Sequence, residues 1–161
     1  MKKAVFYASK GGVCAEFANK IAQKIDASSF NIKDCDLSKI AEYDFVIFAS
    51  SSYYFGALQE DWGSKVKGLS DIDFSRKTIA LVGVGSQARH PDSFCSGIAD
   101  FYDKLRFSGA KFVGAVDCKD YNYSFSRAQK GQKLLGLCLD KADEQKNDAR
   151  IEAWIKSLHL D

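Results

Sequence analysis

The sequence has little of several things, and each shortage narrows what the chain can be. Its 161 residues hold one proline and no low-complexity tract or internal repeat, so no linker or disordered tail is expected and residues 1–161 read as a single domain. No stretch approaches the ~20 apolar residues that a membrane helix needs. The start, Met1 to Lys10, is too poor in apolar residues for a signal peptide and fits a strand better. Five cysteines (Cys14, Cys35, Cys95, Cys118, Cys138) contain no C-x-x-C pair and are odd in number, which excludes a disulfide framework or a zinc site and points to free thiols in a reducing, cytoplasmic setting. Charge of one sign is missing too. With 23 basic and 21 acidic residues scattered along the chain, no nucleic-acid partner is expected. Only two histidines are present, His159 lies at the end of the last helical pattern, and nothing in the sequence resembles an enzyme triad.

What is present is a regular alternation of strand and helix signals. Lys3 to Ala8 is an apolar strand that runs into Ser9-Lys10-Gly11-Gly12, and Val13, Phe17, Ile21 and Ile25 then recur at helical spacing. Ser29 to Asp34 is a half-polar strand suited to a place near an edge, and Phe45 to Ala49 is a buried strand ending in Ser50, Ser51 and Ser52. Gln59 to Leu69 has helical spacing (Trp62, Val66, Leu69), and Thr78 to Gly85 is a further buried strand. Ser93 to Arg106 is expected to be helical with Phe94, Ile98, Phe101 and Leu105 inward. Lys111 to Val116 starts another strand, and Ile151, Trp154, Ile155 and Leu158 mark a final helix. Between 117 and 133 the rhythm breaks, and Leu134 to Leu139 reads as a strand with no helix before it. Alternation of this kind predicts an α/β fold, a parallel sheet with helices on both faces, whose ligands lie outside the carboxyl ends of the strands.

Three of those ends are polar or glycine-rich. Ser9, Lys10, Gly11, Gly12, Val13 and Cys14 join a strand to a helix N-terminus, where backbone N–H groups and the helix dipole favour an anion. Ser50, Ser51, Ser52, Tyr53, Tyr54, Phe55 and Gly56 offer hydroxyls and an aromatic platform. Gly83, Val84, Gly85, Ser86 and Gln87, with His90 and then Ser93, Phe94 and Cys95, form the third.

At this point the chain resembles the flavodoxins, nearly end to end. Leu58-Gln59-Glu60-Asp61-Trp62 is similar to the family's L-Q-x-D-W, and Ile72-Asp73-Phe74 to Leu81 to its I-D-F-x-x-K-x-x-A-x-F. Gly83 to Gln87 with Pro91 to Cys95 resembles G-x-G-D-Q and x-D-N-F. Tyr121 to Ala128 with Gly136 to Asp140 resembles the long-chain subclass, and Arg150 to Trp154 the last helix. The resemblance implies a three-layer, doubly wound, five-stranded parallel sheet of order 2-1-3-4-5, with a loop interrupting the last strand. It implies a monomeric, low-potential one-electron carrier that holds FMN without a covalent bond and works between a reductase and an accepting redox enzyme. By the same resemblance the first loop takes the phosphate, Tyr53 and His90 flank the ring, Gly56 is the glycine whose peptide can turn toward flavin N5, and Gly85 to Gln87 meet the pyrimidine edge.

The residues depart from the family pattern at each loop. In T/S-x-T-G-x-T, Gly11 and Cys14 stand where the later threonines would be, which removes two side-chain donors at ~1.5–3 kcal/mol each; Lys10 brings a positive charge that either compensates or points to solvent. Ser86 replaces an acid, and His90, preceded by Arg89, replaces a stacking tyrosine. Because positive charge favours a reduced anion, the second reduction is expected at a less negative potential than is usual in the family. Cys14 and Cys95 map to the edge of the site, where a helix-start cysteine is either reactive or a small packing residue. Tyr121 to Phe125 is either a partner-recognition segment or a self-packed surface loop. Two rival functions remain: a protein of this fold that has lost or weakened FMN binding or takes another ligand, and a flavin-dependent quinone reductase.

Overall fold

The structure, a computed structural model, describes residues 1–53 and 56–160, and of Tyr53 the backbone alone. Its frame is a parallel sheet built from β1 (Lys3–Ala8), β2 (Ser28–Asn31), β3 (Phe45–Tyr53), β5 (Thr78–Gly85) and β10 (Leu137–Asp140), in the order β2-β1-β3-β5-β10. In register, Phe6 pairs with Phe48 and Phe48 with Leu81, so the apolar runs lie side by side across the middle of the sheet. The expected order 2-1-3-4-5 is therefore the observed one.

Two cores flank the sheet because successive side chains of a strand point to opposite faces. On one face Phe6, Phe48 and Leu81 pack with Trp62, Phe74, Phe94 and Phe101. Phe48 stacks on Phe101 with centroids 5.2 Å apart, and the Trp62 indole N–H donates to the Ala49 carbonyl at 3.0 Å. On the other face Val5, Ile47, Ala80 and Val82 are covered by α1 (Val13–Lys24) and α4 (Glu144–Ser157). The buried side of α1 is centred on Cys14, Ala18, Ile21, Ala22 and Ile25, while Val13 and Phe17 are only half-buried. Lys20 to Asp148 and Lys24 to Glu152 link these two helices at the surface. No helix among the described residues is long and apolar enough to cross a membrane.

Several boundaries differ from the expectation, each for a local reason. Strand β2 stops at Asn31, whose side chain caps a 3₁₀ turn at 32–34. Strand β3 continues through the serines to Tyr53, because β4 (Ala57–Leu58) folds back on Ser52 and Tyr53 as an antiparallel hairpin. The helix expected over 59–69 is a single turn, α2 (Glu60–Gly63), followed by a 3₁₀ segment over 66–71. Gly63, Ser64 and Gly68 weaken the helix there, and Lys65 Nζ donates to the carbonyls of Ile32 and Cys35 at 2.6 and 3.1 Å. Helix α3 begins at Ile98, not Ser93, since Cys95 has φ 51° and the Gly97 N–H is spent on the Ser52 hydroxyl at 3.0 Å. The inward residues Phe94, Ile98, Phe101 and Leu105 are nevertheless all buried.

The last sheet position is shared by two segments. β6 (Lys111–Val113) pairs with Thr78 to Ala80, and β10 pairs with Val82 to Gly85. The excursion between them carries β7 (Val116–Asp117), β8 (Gln129–Lys130) and β9 (Lys133–Leu134) in a small antiparallel sheet. The two continuous strands expected at 111–116 and 134–139 are thus each divided, and only their outer parts belong to the main sheet.

Candidate functional site

The first loop lies at the carboxyl end of the central strand β1. Gly11 and Gly12 have φ 79° and 88°, backbone that an L side chain adopts only with strain, and space is open around both Cα atoms. Gly12 stands at the N-cap of α1 and has no side chain of its own to cap the helix. The Ser9 hydroxyl oxygen accepts from the Ala15 N–H at 3.2 Å, so Ser9 closes the loop on the helix and keeps its O–H for a ligand. The Cys14 side chain turns away from the loop into the core. It is buried among the residues under α1, and burial pushes its thiol up to about 12 in spite of the helix N-terminus and a hydrogen bond with Ser51. Packing, not reactivity, is what the structure assigns to it.

The second loop is the β3–β4 turn. Ser50 is buried and its oxygen accepts from the Gln59 N–H at 3.1 Å, while Ser51 and Ser52 face the cleft. Gly56 has φ 94°, and a Cβ there would come within 2.6 Å of the Ser96 Cβ and 3.2 Å of the Ser93 Cβ. Tyr54, Phe55 and the ring of Tyr53, expected to form the aromatic platform, lie outside the described residues.

In the third loop the glycines serve packing. A Cβ on Gly83 would meet Cys95 Cβ at 3.0 Å, and one on Gly85 would meet the Cys95 N and Phe94 Cδ1 at 3.1 Å. Phe94 and Cys95, expected as cofactor contacts, are fully buried beneath the loop and support it. Burial, together with the Cys138 thiol beside it, drives the Cys95 thiol well above its ordinary range. Ser86 organises the turn above: its hydroxyl accepts from the Arg89 N–H at 3.1 Å and its carbonyl from the His90 N–H at 3.0 Å, leaving Arg89 and His90 exposed.

Gln87 is differently engaged from the expectation. Its backbone N–H and Nε2 donate to Asp140 Oδ2 at 2.9 and 3.1 Å, Nε2 also reaches Asp143 at 2.9 Å, and Oε1 accepts from the Asn122 N–H at 2.6 Å. It ties the third loop to the end of β10 instead of presenting its amide to the cleft. Asp140, buried, has its other oxygen on the Ala142 N–H at 3.0 Å. The Arg150 guanidinium at 2.9 Å, aided by the Gln87 amide, holds the Asp143 carboxyl below the usual carboxylate range.

These loops enclose an open cleft of about 690 Å³, within the size range of small-molecule sites. It brings together Lys10 and Val13, Ser51 and Ser52, and Val84 to Ser86 with Arg89 and His90. Its remaining wall, Asp140, Lys141, Ala142 and Glu144, was absent from the expected site. The signal was available: Asp140 ends a strand, so the rule that pointed to the other three loops applies to β10 as well. A second hollow beside Gly11 and Gly12 continues the cleft along α1 and is bordered by Lys20 and Lys141 and by the carboxylates of Glu16, Glu144 and Asp148. Lys10, Arg89 and Lys141 line the cleft together with Asp140 and Glu144, so its lining carries charge of both signs.

Comparison with known proteins agrees with this arrangement. The flavodoxin family model matches residues 5–154. The chain belongs to the flavodoxin family. Flavodoxin 1 of Azotobacter vinelandii is 35% identical over 162 residues, covering 96% of this chain and 93% of that protein. The flavodoxin of Haemophilus influenzae is 31% identical, covering 96% and 92% respectively. Among solved structures, Fusobacterium nucleatum flavodoxin bound to flavin mononucleotide superposes with a TM-score of 0.91 at 30% identity, over 98% of this chain and 97% of that one. The divided last strand of this flavodoxin is the interruption that the long-chain resemblance implied.

The excursion proves to be packed on the site. Tyr123 stacks on Phe94 at 5.3 Å, Tyr121 donates its hydroxyl proton to the Cys138 carbonyl at 2.6 Å under the Arg150 guanidinium, and Ser124 and Phe125 donate to the Pro91 carbonyl at 2.8 and 3.0 Å. Of the two readings left open for Tyr121 to Phe125, a self-packed loop is the one these contacts describe. Asn122, Ser124 and Phe125 stay exposed.

Proposed function

We propose that this flavodoxin is an FMN-dependent one-electron carrier, receiving electrons from a reductase and passing them to an accepting redox enzyme, with no substrate of its own. The observation that carries the reading is the cleft at the carboxyl edge of the sheet, lined by Lys10 and Val13 on either side of the two glycines, by Ser51 and Ser52 of the second loop and by Val84 to Ser86, Arg89 and His90 of the third. These residues fit the group. Gly11 and Gly12 leave their surroundings open for a phosphate, the start of α1 offers backbone donors, and the Ser9 O–H and Lys10 add a donor and a charge. A flavodoxin that superposes closely is bound to flavin mononucleotide, which supports the same ligand here.

Bound FMN supplies the redox chemistry, and the protein's own groups hold it and set its energy. Ser51 and Ser52 offer hydroxyls from one side, and the turn ordered by Ser86 offers His90 from the other. The three cations around the cleft outnumber the two carboxylates, which favours the fully reduced anion and makes the second reduction potential less negative than in an acidic carrier. Free thiols throughout are consistent with work in a reducing cytoplasm.

The protein as purified should be yellow, or as apoprotein should quench added FMN fluorescence stoichiometrically. A colourless protein that leaves FMN fluorescence unchanged overturns the reading. NAD(P)H should reduce the bound flavin only when a reductase is added; steady oxidation by the isolated protein would instead show an enzyme.

A further inference from the structure

The turn that carries Gly56 is held from outside its own segment. At its start, the Ser52 hydroxyl accepts from the Gly97 N–H at 3.0 Å. At its end, the Gly56 carbonyl accepts from Arg127 Nη2 at 3.2 Å. Arg127 lies in the excursion, 71 residues further along, and its other arm donates to Asp100 Oδ1 on α3 at 2.9 Å. Its backbone is fixed as well, the N–H donating to the Ser96 hydroxyl at 3.0 Å, and Ser96 is the residue against which Gly56 packs most closely. A guanidinium is planar and presents its donors in a fixed fork. With one arm set by a carboxylate, the other can meet the Gly56 carbonyl in only one direction. A peptide plane rotates as a unit, so fixing that carbonyl also fixes the Ala57 N–H on its far side.

We propose that Arg127 is a positioning residue for the flavin site: by holding the Gly56 carbonyl it fixes the 56–57 peptide, and through it the affinity and reduction potentials of bound FMN. The excursion thus reaches the second loop through Arg127 as it reaches the third through Tyr121 and Tyr123. Arg127 and Asp100 are each more than a third exposed, so their ion pair adds little to global stability, whereas the contact on the buried Gly56 turn acts on one peptide. The idea rests on the carrier function above only for its flavin readouts.

The test compares Arg127→Ala, Arg127→Lys and wild type. In apoprotein, hydrogen exchange at the Ala57 amide should quicken about three- to tenfold in Arg127→Ala, with the thermal midpoint little changed. Unchanged exchange at Ala57 overturns the proposal whether or not the protein binds FMN. In holoprotein, Arg127→Ala should weaken FMN binding by a similar factor and shift at least one of the two potentials, and Arg127→Lys, which keeps one donor, should recover part of both. Wild-type affinity and potentials in Arg127→Ala also overturn it. Failure of wild type to bind FMN rejects the carrier function instead, and the exchange measurement still decides the role of Arg127.

Discussion

Gly56→Ala and Gly11→Ala form a pair whose difference can be worked from the structure. Both glycines have positive φ, 94° and 79°, so an alanine at either pays for a left-handed backbone, about 1–2 kcal/mol. Their surroundings differ. The new methyl at Gly11 meets nothing within 4 Å, whereas at Gly56 it lies 2.6 Å from the Ser96 Cβ and 3.2 Å from the Ser93 Cβ. Neither neighbour is the far end of a flexible side chain, so the backbone must shift, adding about 1–3 kcal/mol. Gly56→Ala should therefore cost about 2–5 kcal/mol against about 1–2 for Gly11→Ala. At this chain length that separates the thermal midpoints by roughly 2–4 °C per kcal/mol of difference. Urea unfolding of the two apoproteins measures it, ligand being omitted because FMN would add its own binding energy to the folded state. FMN affinity should fall in Gly11→Ala, whose methyl enters the space proposed for the phosphate. If Gly56→Ala is no less stable than Gly11→Ala, the close packing of Ser96 under the second loop is wrong.

Acid should act through Asp143. Its folded carboxyl titrates below the unfolded value of about 3.9, so its bond to Arg150 stabilises the protein above that pH and is lost as pH falls through the folded value. Asp143→Asn should cost on the order of 1 kcal/mol at pH 7 and much less at pH 3, as read from urea midpoints; an equal loss at both pH values would refute the assignment. Thiol titration at pH 8 should find Cys14, Cys95 and Cys138 unreactive in the native protein and all five cysteines reactive in denaturant. Rapid native modification of Cys14 would contradict its burial.

Much of the architecture was legible because its causes are local. The apolar runs at 3–8, 45–49 and 78–85 can be satisfied only as neighbouring buried strands, and the stripe ending in Trp154 and Ile155 only as a helix against them. Boundaries failed where a distant group claimed a backbone donor or a packing site: the Ser52 hydroxyl takes the Gly97 N–H and delays α3, and Lys65 reaches the carbonyls after β2 and interrupts the helix expected over 59–69.

The sequence by itself determined the layers and the edge of the sheet where a ligand belongs, since hydrophobic period and strand-end chemistry are properties of short stretches; the order of the strands came from the family resemblance. Only the tertiary structure decided what the polar residues at that edge do. Gln87 turns to Asp140 across 53 residues and Arg127 to Gly56 across 71. Phe94, Cys95 and Cys14 go into the core although their motifs placed them at the site. A hydrogen bond is made with whichever partner the fold brings within about 3 Å, and no spacing along the chain records that distance.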